Sequence, residues 1–458
     1  MTYSALRMFG SNRDLVNSKS LLLFLFRFYP QIPRPIQLCV GGPREIGALS
    51  NSCGVWGDSS FSIVTEVISS PSRGEVVYMK VTEISFKPYT YKMLRTIGDV
   101  NLPDGVNEGM ELAVFVHTDE GVTGCSVGAG NAEQSLPALI DLVIGTDPRS
   151  VRSTWNRMTA RSFKQGNHGP MAAGISAIDR ALWDVRAKLH GVPLWKELGG
   201  DGRPVRAYAS GLDSPLSDED LYKFYAGLAA KGVTAGKLKV GRDADEDERR
   251  VRVMADALSS HGGRAQLIID ANEFWTPKQA IQRIARLEKH FDFLWVEEPT
   301  PRGDFEGLRR VSEGVRAPIA TGENFTDPQQ FVPLFQHGAG DVIQIASHVS
   351  GFTGGGIVAD MATAFDRPVV TGPDVGNSFA HISSTWKHHV MMEVFEMGRE
   401  APLINPMQIE DGCIVLNNTP GAGIEFDEKY LASHGPSDKP MKMLASVYGR
   451  AEDAGLVG

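Results

Sequence analysis

Apolar and polar residues alternate from Val81 to Pro88 and again from Met110 to Val116, the two-residue period of strands with one buried face. The turn-rich TDEGVTG from Thr118 to Gly124 predicts a hairpin with Gly121 at a positive φ. The period then lengthens. In GISAIDRALWDVRAKLHG, residues Ile175, Ile178, Leu182, Val185 and Leu189 recur at three- and four-residue steps, which predicts an amphipathic helix closed by Gly191 and Pro193. Strands followed by helices, without regular alternation, define an α+β domain over residues 79–200.

Beyond Gly200 short apolar runs alternate with amphipathic stretches: RAYAS, GKLKV, AQLIID, FLWVEEP, APIATGEN, DVIQIA, RPVVTGP and HHVMMEV. Their spacing of roughly 20–35 residues is one strand, one helix and two loops, the repeat of a parallel β/α fold. Eight such runs over residues 201–434 predict a closed barrel. An open dinucleotide-binding sheet would carry GxGxxG after its first strand, and none follows RAYAS. The glycine-rich GFTGGG at Gly351 to Gly356 follows the sixth run and lacks the GK[ST] of a phosphate-binding loop.

The chain has 458 residues, so these two units leave residues 1–78 and 435–458 unassigned. The first stretch reads as an irregular or disordered leader, or as sequence upstream of a true start at Met79. Its apolar run from Ser20 to Pro30 is interrupted by Arg27 and falls short of the ~20 residues a spanning helix needs, so no membrane is expected as a partner. Arg13 and Lys19 precede that run as in a signal peptide, but no small-residue cleavage site follows closely. Lys and Arg number 46 against 55 Asp and Glu, a net charge of −9, which argues against nucleic acid. The four cysteines show no CxxC spacing, so a reduced, cytoplasmic protein is expected, without a cysteine zinc site.

Active sites of β/α barrels lie at the C-terminal ends of the strands, so polar residues that end an apolar run are the informative ones. IIDAN, WVEEP and ATGEN place Asp270, Glu297 and Glu323 at three successive strand ends. One such acid alone would be read as a helix cap, but three aimed at one point repel and call for a cation. Oxygen ligands without His or Cys indicate Mg²⁺, with Mn²⁺ as the alternative. One strand earlier, GKLKV puts Lys237 and Lys239 on one side of a strand, facing the barrel mouth. They are either solvated counter-charges to the acids or a base whose pKa is lowered by a second ammonium and a dication.

These motifs resemble the enolase superfamily, in its mandelate racemase and muconate lactonizing branch. The resemblance runs from Met79 to about His434 and rests on AIDRALWDVRAKLHGVPLWKELGG, KLK, DAN, VEEP, TGEN and PGAGIEFD in order. It implies a modified (β/α)7β TIM-type barrel under an N-terminal α+β capping domain, with the C-terminal segment returning to the cap. It also implies Mg²⁺ held by Asp270, Glu297 and Glu323, a small-molecule carboxylate substrate, and a homo-oligomer. The implied chemistry is removal of the proton α to a carboxylate, giving an enediolate. Lys239 aligns with the base, Lys237 with its partner, and Glu393 with an acid bonded to the enolate oxygen. Glu396 competes for that last role, since MMEVFE permits either register. Asn272, two residues past Asp270 on the same side, is a candidate contact for a substrate oxygen.

The departures select among reactions. The racemase branch carries a His on the seventh strand supported by an Asp on the sixth, but here those places hold Gly372 or Pro373 and Ala346 or Ser347. No opposing Lys is offered on the sixth strand either. Asp374 and His348 lie near enough in sequence to reach substrate instead, with a cap or loop role as their alternative. A single base suits syn dehydration of a hydroxy acid or acid sugar, ahead of racemisation, epimerisation or lactone cycloisomerisation, and ahead of a noncatalytic metal-binding homologue. Specificity is expected from residues 88–109 and the loop 127–134, with Lys92 and Arg95 either contacts for a second substrate charge or solvated loop cations.

Overall fold

A computed structural model describes residues 79–436 other than Gln165, Asn377 and Met397. The leader 1–78 and the tail beyond residue 436 lie outside the described residues, and so do the readings that fall on them. The cap opens with an antiparallel sheet of β1 (Val81–Ile97), β2 (Val106–Thr118) and β3 (Thr123–Ala129), with β2 in the middle. Gly121 adopts φ 77° in the β2–β3 turn, as the hairpin reading requires. The alternation continues further than its first eight residues suggested. Residues 88–97 and 106–109 are strand, and besides the short turn between them Arg95 of β1 reaches the barrel, donating to the Gly211 carbonyl at 2.5 Å.

Helix Pro170–Leu189 packs its apolar stripe on this sheet and its polar residues toward the barrel. Asp184 is fully buried, accepting from the Cys125 amide of β3 at 2.9 Å and from the Ala422 amide of the returning C-terminal segment at 2.7 Å. Phe426 of that segment packs edge-on against Tyr89 and Phe115. Backbone bonds from Leu194 to the Gly421 carbonyl and from Thr90 to the His434 carbonyl, both 2.8 Å, extend this return to the cap.

The barrel consists of β4 (Val205–Ser210), β5 (Ala235–Lys239), β6 (Gln266–Asp270), β7 (Phe293–Glu297), β8 (Ile319–Thr321), β9 (Val342–Ile345), β10 (Val369–Thr371) and β11 (His389–Val394). All eight are parallel, neighbours in sequence pair, and β11 closes on β4. Each of the first seven is followed by a helix, which makes the (β/α)7β pattern. Tyr208, Ala235, Ile268, Trp295, Ala320, Val342, Val370 and Met391, one from each strand, form a buried layer inside the barrel. Because side chains alternate, the residues two positions on return to the interior nearer the C-terminal mouth. Those positions include Ser210, Lys237, Asp270, Glu297, Gln344 and Glu393. An apolar floor therefore carries a polar layer.

Cap and barrel meet through Asp179 and Arg180. Arg180 gives Nη2 to both oxygens of Asp374 at 2.8 and 2.7 Å, and Asp179 accepts from the Thr353 amide at 2.9 Å and its hydroxyl at 2.6 Å. Thr353 lies in the first turn of helix Gly351–Ala364, so GFTGGG starts a helix that docks the cap. Gly351 has φ 81°, and a Cβ there would stand 2.5 Å from Asp179 Oδ2. Burial raises the Asp179 pKa to about 7 despite these hydrogen bonds. The folded state then binds the proton more tightly than the unfolded chain, so charging Asp179 costs stability as pH rises from about 4 to 7, on the order of 4 kcal/mol. Thermal melts are expected to show Asp179→Asn gaining on wild type between pH 5 and pH 8. A pH-independent difference would place the proton elsewhere.

Candidate active site

Register places the functional side chains side by side. Lys239 on β5 lies opposite Asp270 on β6, and Asp270 lies opposite Glu297 on β7. Asp270, Glu297 and Glu323 each bring a carboxylate oxygen within 4.8 Å of the others. Lys237 Nζ stands 2.5 Å from Glu297 Oε1, 3.0 Å from Glu393 Oε2 and 3.3 Å from Asp270 Oδ2, while Lys239 Nζ stands 2.5 Å from Asp270 Oδ2. All these groups except Glu323 are buried, and Glu323 is half-buried.

Such a cluster has unbalanced electrostatics. Burial, reinforced by Asp270, Glu323 and Glu393, raises the Glu297 pKa well above the carboxylate range even with Lys237 beside it. Glu323 is raised by burial, which outweighs the attraction of Lys237. Asp270 is the exception: burial opposes it, but Lys239, Lys237 and the Asn272 amide bring it down to about 2. The lowered lysine pKa expected from sequence is not found in the protein alone. Burial would lower both lysines, but Glu297 and Glu393 around Lys237, and Asp270 beside Lys239, raise both. The carboxylates outnumber the ammonium groups, the condition a hard dication would relieve, and three oxygen donors without His or Cys fit Mg²⁺.

The backbone is strained where the ligands end. Asn272, Glu273 and Glu298 have φ of 42°, 61° and 42°, a conformation that costs side-chain-bearing residues about 1–3 kcal/mol each. The Glu273 amide donates to the Glu298 carbonyl at 2.7 Å, tying the two loops together. Asn272 and both lysines line a cavity of about 280 Å³ at the barrel mouth, and so do Glu323 and Glu393.

The register question at β11 is settled geometrically. Glu393 points into the barrel against Lys237, while Glu396 pairs with Lys231 at 2.5 Å on an exposed surface. Asp374 and His348 are not brought to the cavity wall. Both oxygens of Asp374 are taken by Arg180, and Ser378 adds a bond at 2.6 Å. His348 Nε2 lies 2.6 Å from the Glu323 carbonyl, and burial lowers its pKa. Lys92 is exposed, and Arg95 stacks on Phe224, so neither lines the cavity. The loop 127–134 contributes no lining residue among those described.

Sequence reasoning missed several groups. Gln344 donates Nε2 to Glu297 Oε1 and to Glu323 Oε2, both at 2.9 Å, spanning two of the three acids. A lone amide inside the apolar run DVIQIA, in step with Val342, was its signal. Tyr208 donates to Glu393 Oε2 at 3.1 Å. Asp99 and Asn101 reach the cavity from the cap, and Arg302 and Arg399 from loops after β7 and β11. Residues so far apart in sequence leave no local pattern.

A capped parallel barrel with three acidic strand ends and two inward lysines defines a metal-dependent barrel enzyme. Residues 221–430 match the enolase C-terminal domain-like family, and residues 105–199 match the mandelate racemase / muconate lactonizing enzyme N-terminal domain. The chain is 32% identical over 329 residues to 3,6-anhydro-alpha-L-galactonate cycloisomerase of Streptomyces coelicolor, covering 70% of this chain and 90% of that protein. It is 30% identical over 298 residues to L-talarate/galactarate dehydratase of Salmonella typhimurium, covering 64% and 72%. A racemase from Streptomyces coelicolor solved with bound magnesium superposes with TM-score 0.72 at 28% identity, over 78% of this chain and all of that one. The chain belongs to the enolase superfamily, in its mandelate racemase / muconate lactonizing branch. Among the described residues no helix is long and apolar enough to cross a membrane.

Proposed function

We propose that this chain is a Mg²⁺-dependent lyase that dehydrates a hydroxy acid or acid sugar, with Lys239 removing the proton α to the carboxylate. The observation that carries this is the one-sidedness of the site. Lys239 lines the cavity, while the positions after β9 and β10 where an opposing base would be expected hold Ala346 or Ser347 and Gly372 or Pro373; of these only Pro373 is on the cavity wall, and no His and no lysine besides Lys237 and Lys239 lines it. Asp270, Glu297 and Glu323 would hold the metal, which when bound acts as a Lewis acid toward a substrate carboxylate.

The protein groups divide the remaining work. Lys239 accepts the α-proton, the C–H electron pair becomes the second bond of an enediolate, and that pair then expels the β-hydroxyl. Lys239, now an ammonium, returns the proton to the departing oxygen, so water leaves and an enol remains to tautomerise to a keto acid. Lys237 supplies positive charge behind the site, and Glu393, which accepts from Lys237 and the Tyr208 hydroxyl through Oε2, would in its protonated form donate to the enediolate oxygen. Asn272 offers an amide to the substrate from the cavity wall.

Cycloisomerisation is the second reading, favoured by the 32% identity to a cycloisomerase. It needs the same lysine and differs in that a ring oxygen leaves, with no water lost. The test is incubation of the Mg²⁺-loaded protein in D₂O with a library of acid sugars and their lactones and anhydro forms, read by mass and NMR. Loss of water supports the dehydratase, and an isomeric product supports the cycloisomerase. Exchange with inversion at the α-carbon would refute one-sided chemistry. Neither exchange nor product from any acid would refute the catalytic reading.

A further inference from the structure

Every cation on the cavity wall is already matched by a carboxylate. Arg399 donates Nε to Glu111 Oε1 at 2.7 Å and sets Nη2 on the same oxygen, while Tyr89 donates to Glu111 Oε2 at 3.0 Å. Arg302 pairs through Nε with Glu273 and donates Nη1 to the Asn324 carbonyl at 3.1 Å. Glu111 and Glu273 are each 5% exposed, while the side chains of their partners Arg399 and Arg302 are 23% and 39% exposed toward the cavity mouth and solvent. Lys237 and Lys239 are bound to Glu297, Glu393 and Asp270 as described. The cap contributes an anion, Asp99, and a neutral amide, Asn101. Four cations thus line the cavity together with five carboxylates, and Asp270, Glu297 and Glu111 stand behind them.

We propose that this site takes a polyhydroxylated monocarboxylate, an aldonate-type acid whose far end is an uncharged hydroxyl, and discriminates against dicarboxylates. The proposal rests on the α-proton chemistry above and adds which acids undergo it. Once the first carboxylate is engaged near Lys239, a second would lie against Asp99 and Glu273. Otherwise it would have to displace Glu111 from Arg399, depriving that buried glutamate of its ion pair. A terminal hydroxyl meets neither cost, since it donates to a carboxylate and accepts from a guanidinium at once. Arg399 and Arg302 then read hydroxyls from within their ion pairs, and Glu111 is the specificity-determining residue that keeps Arg399 from binding an anion.

The test uses full-length, Mg²⁺-loaded protein and pairs of aldonate and aldarate that share chain length and configuration, scored by kcat/KM for product and by α-deuterium exchange. The wild type is expected to favour the aldonate by about 100-fold or more, the scale of an unrelieved like-charge contact. Glu111→Gln is expected to narrow that gap about tenfold by freeing Arg399. A wild type that uses the aldarate as well as the aldonate overturns the proposal while leaving the α-proton reading intact. A gap unchanged in folded Glu111→Gln overturns the role of Glu111. Absence of exchange and product for every acid overturns the underlying reading together with this one. Should Glu111→Gln fail to fold, the wild-type ratio alone decides.

Discussion

Lys239→Ala is expected to lower α-proton exchange and product formation by about 10²–10⁴-fold, the usual contribution of a positioned general base. The loss should be hard to bypass, because Ala346, Gly372 and Pro373 occupy the strand ends where a second base would stand. Metal affinity should survive. The three acids are untouched, and the ammonium that sits 2.5 Å from Asp270 Oδ2 competes for a ligand atom, so its removal should leave Mg²⁺ binding as tight or tighter. Isothermal titration with Mg²⁺ and exchange in D₂O together separate a lost base from a lost site. Lys237→Ala makes the informative contrast. It strips a buried ammonium from Glu297 and Glu393, so it should reduce thermal stability as well as rate. Exchange at the wild-type rate in Lys239→Ala would move the base elsewhere.

What could be read from sequence follows from how local each signal is. The barrel was legible because each strand is a contiguous apolar run and each acid ends one, so eight strands and three carboxylates could be placed from spacing. Lys237 and Lys239 were legible because a two-residue step fixes their common side. The sign of their pKa shift was not, since it depends on how many carboxylates the neighbouring strands bring within reach, and Glu297 and Glu393 outweigh any lysine–lysine repulsion. Asp374 illustrates the same limit. Its position after β10 is that of a substrate contact, but Arg180, 194 residues away, claims both oxygens. The far end of the cavity was the least legible part. Arg302 and Arg399 sit in loops without periodicity, and their significance lies in pairing with Glu273 and Glu111. Residues 92 and 95 drew attention only because they were the cations visible in the expected cap segment.

Glu323→Gln is expected to act in opposite directions with and without metal. In the protein alone Glu323 carries no ion pair among the described residues. Its side chain accepts from Gln344 at 2.9 Å, and burial, aided by Asp270 and Glu393, disfavours its charge more than Lys237 and Lys239 favour it, so an amide removes that cost at nearly constant shape. With EDTA the variant should therefore melt above wild type. With Mg²⁺ the order should reverse. A ligand that binds only the folded state stabilises by RT ln(1 + [L]/Kd), about 2.7 kcal/mol at a hundredfold excess over Kd, and a neutral amide in place of one of three anionic donors should forfeit most of that gain. Gln344 sharpens the comparison, because its amide spans Glu297 and Glu323: Gln344→Ala should loosen both acids and weaken Mg²⁺ binding without changing the charge. Differential scanning fluorimetry of the three proteins across a Mg²⁺ titration reads both effects. If Glu323→Gln keeps the full Mg²⁺-dependent shift, Glu323 is not a ligand; if it melts below wild type in EDTA, the acids are not frustrated in the absence of metal. The crossing of the two curves is the signature of buried, crowded acids that destabilise the fold until a cation joins them.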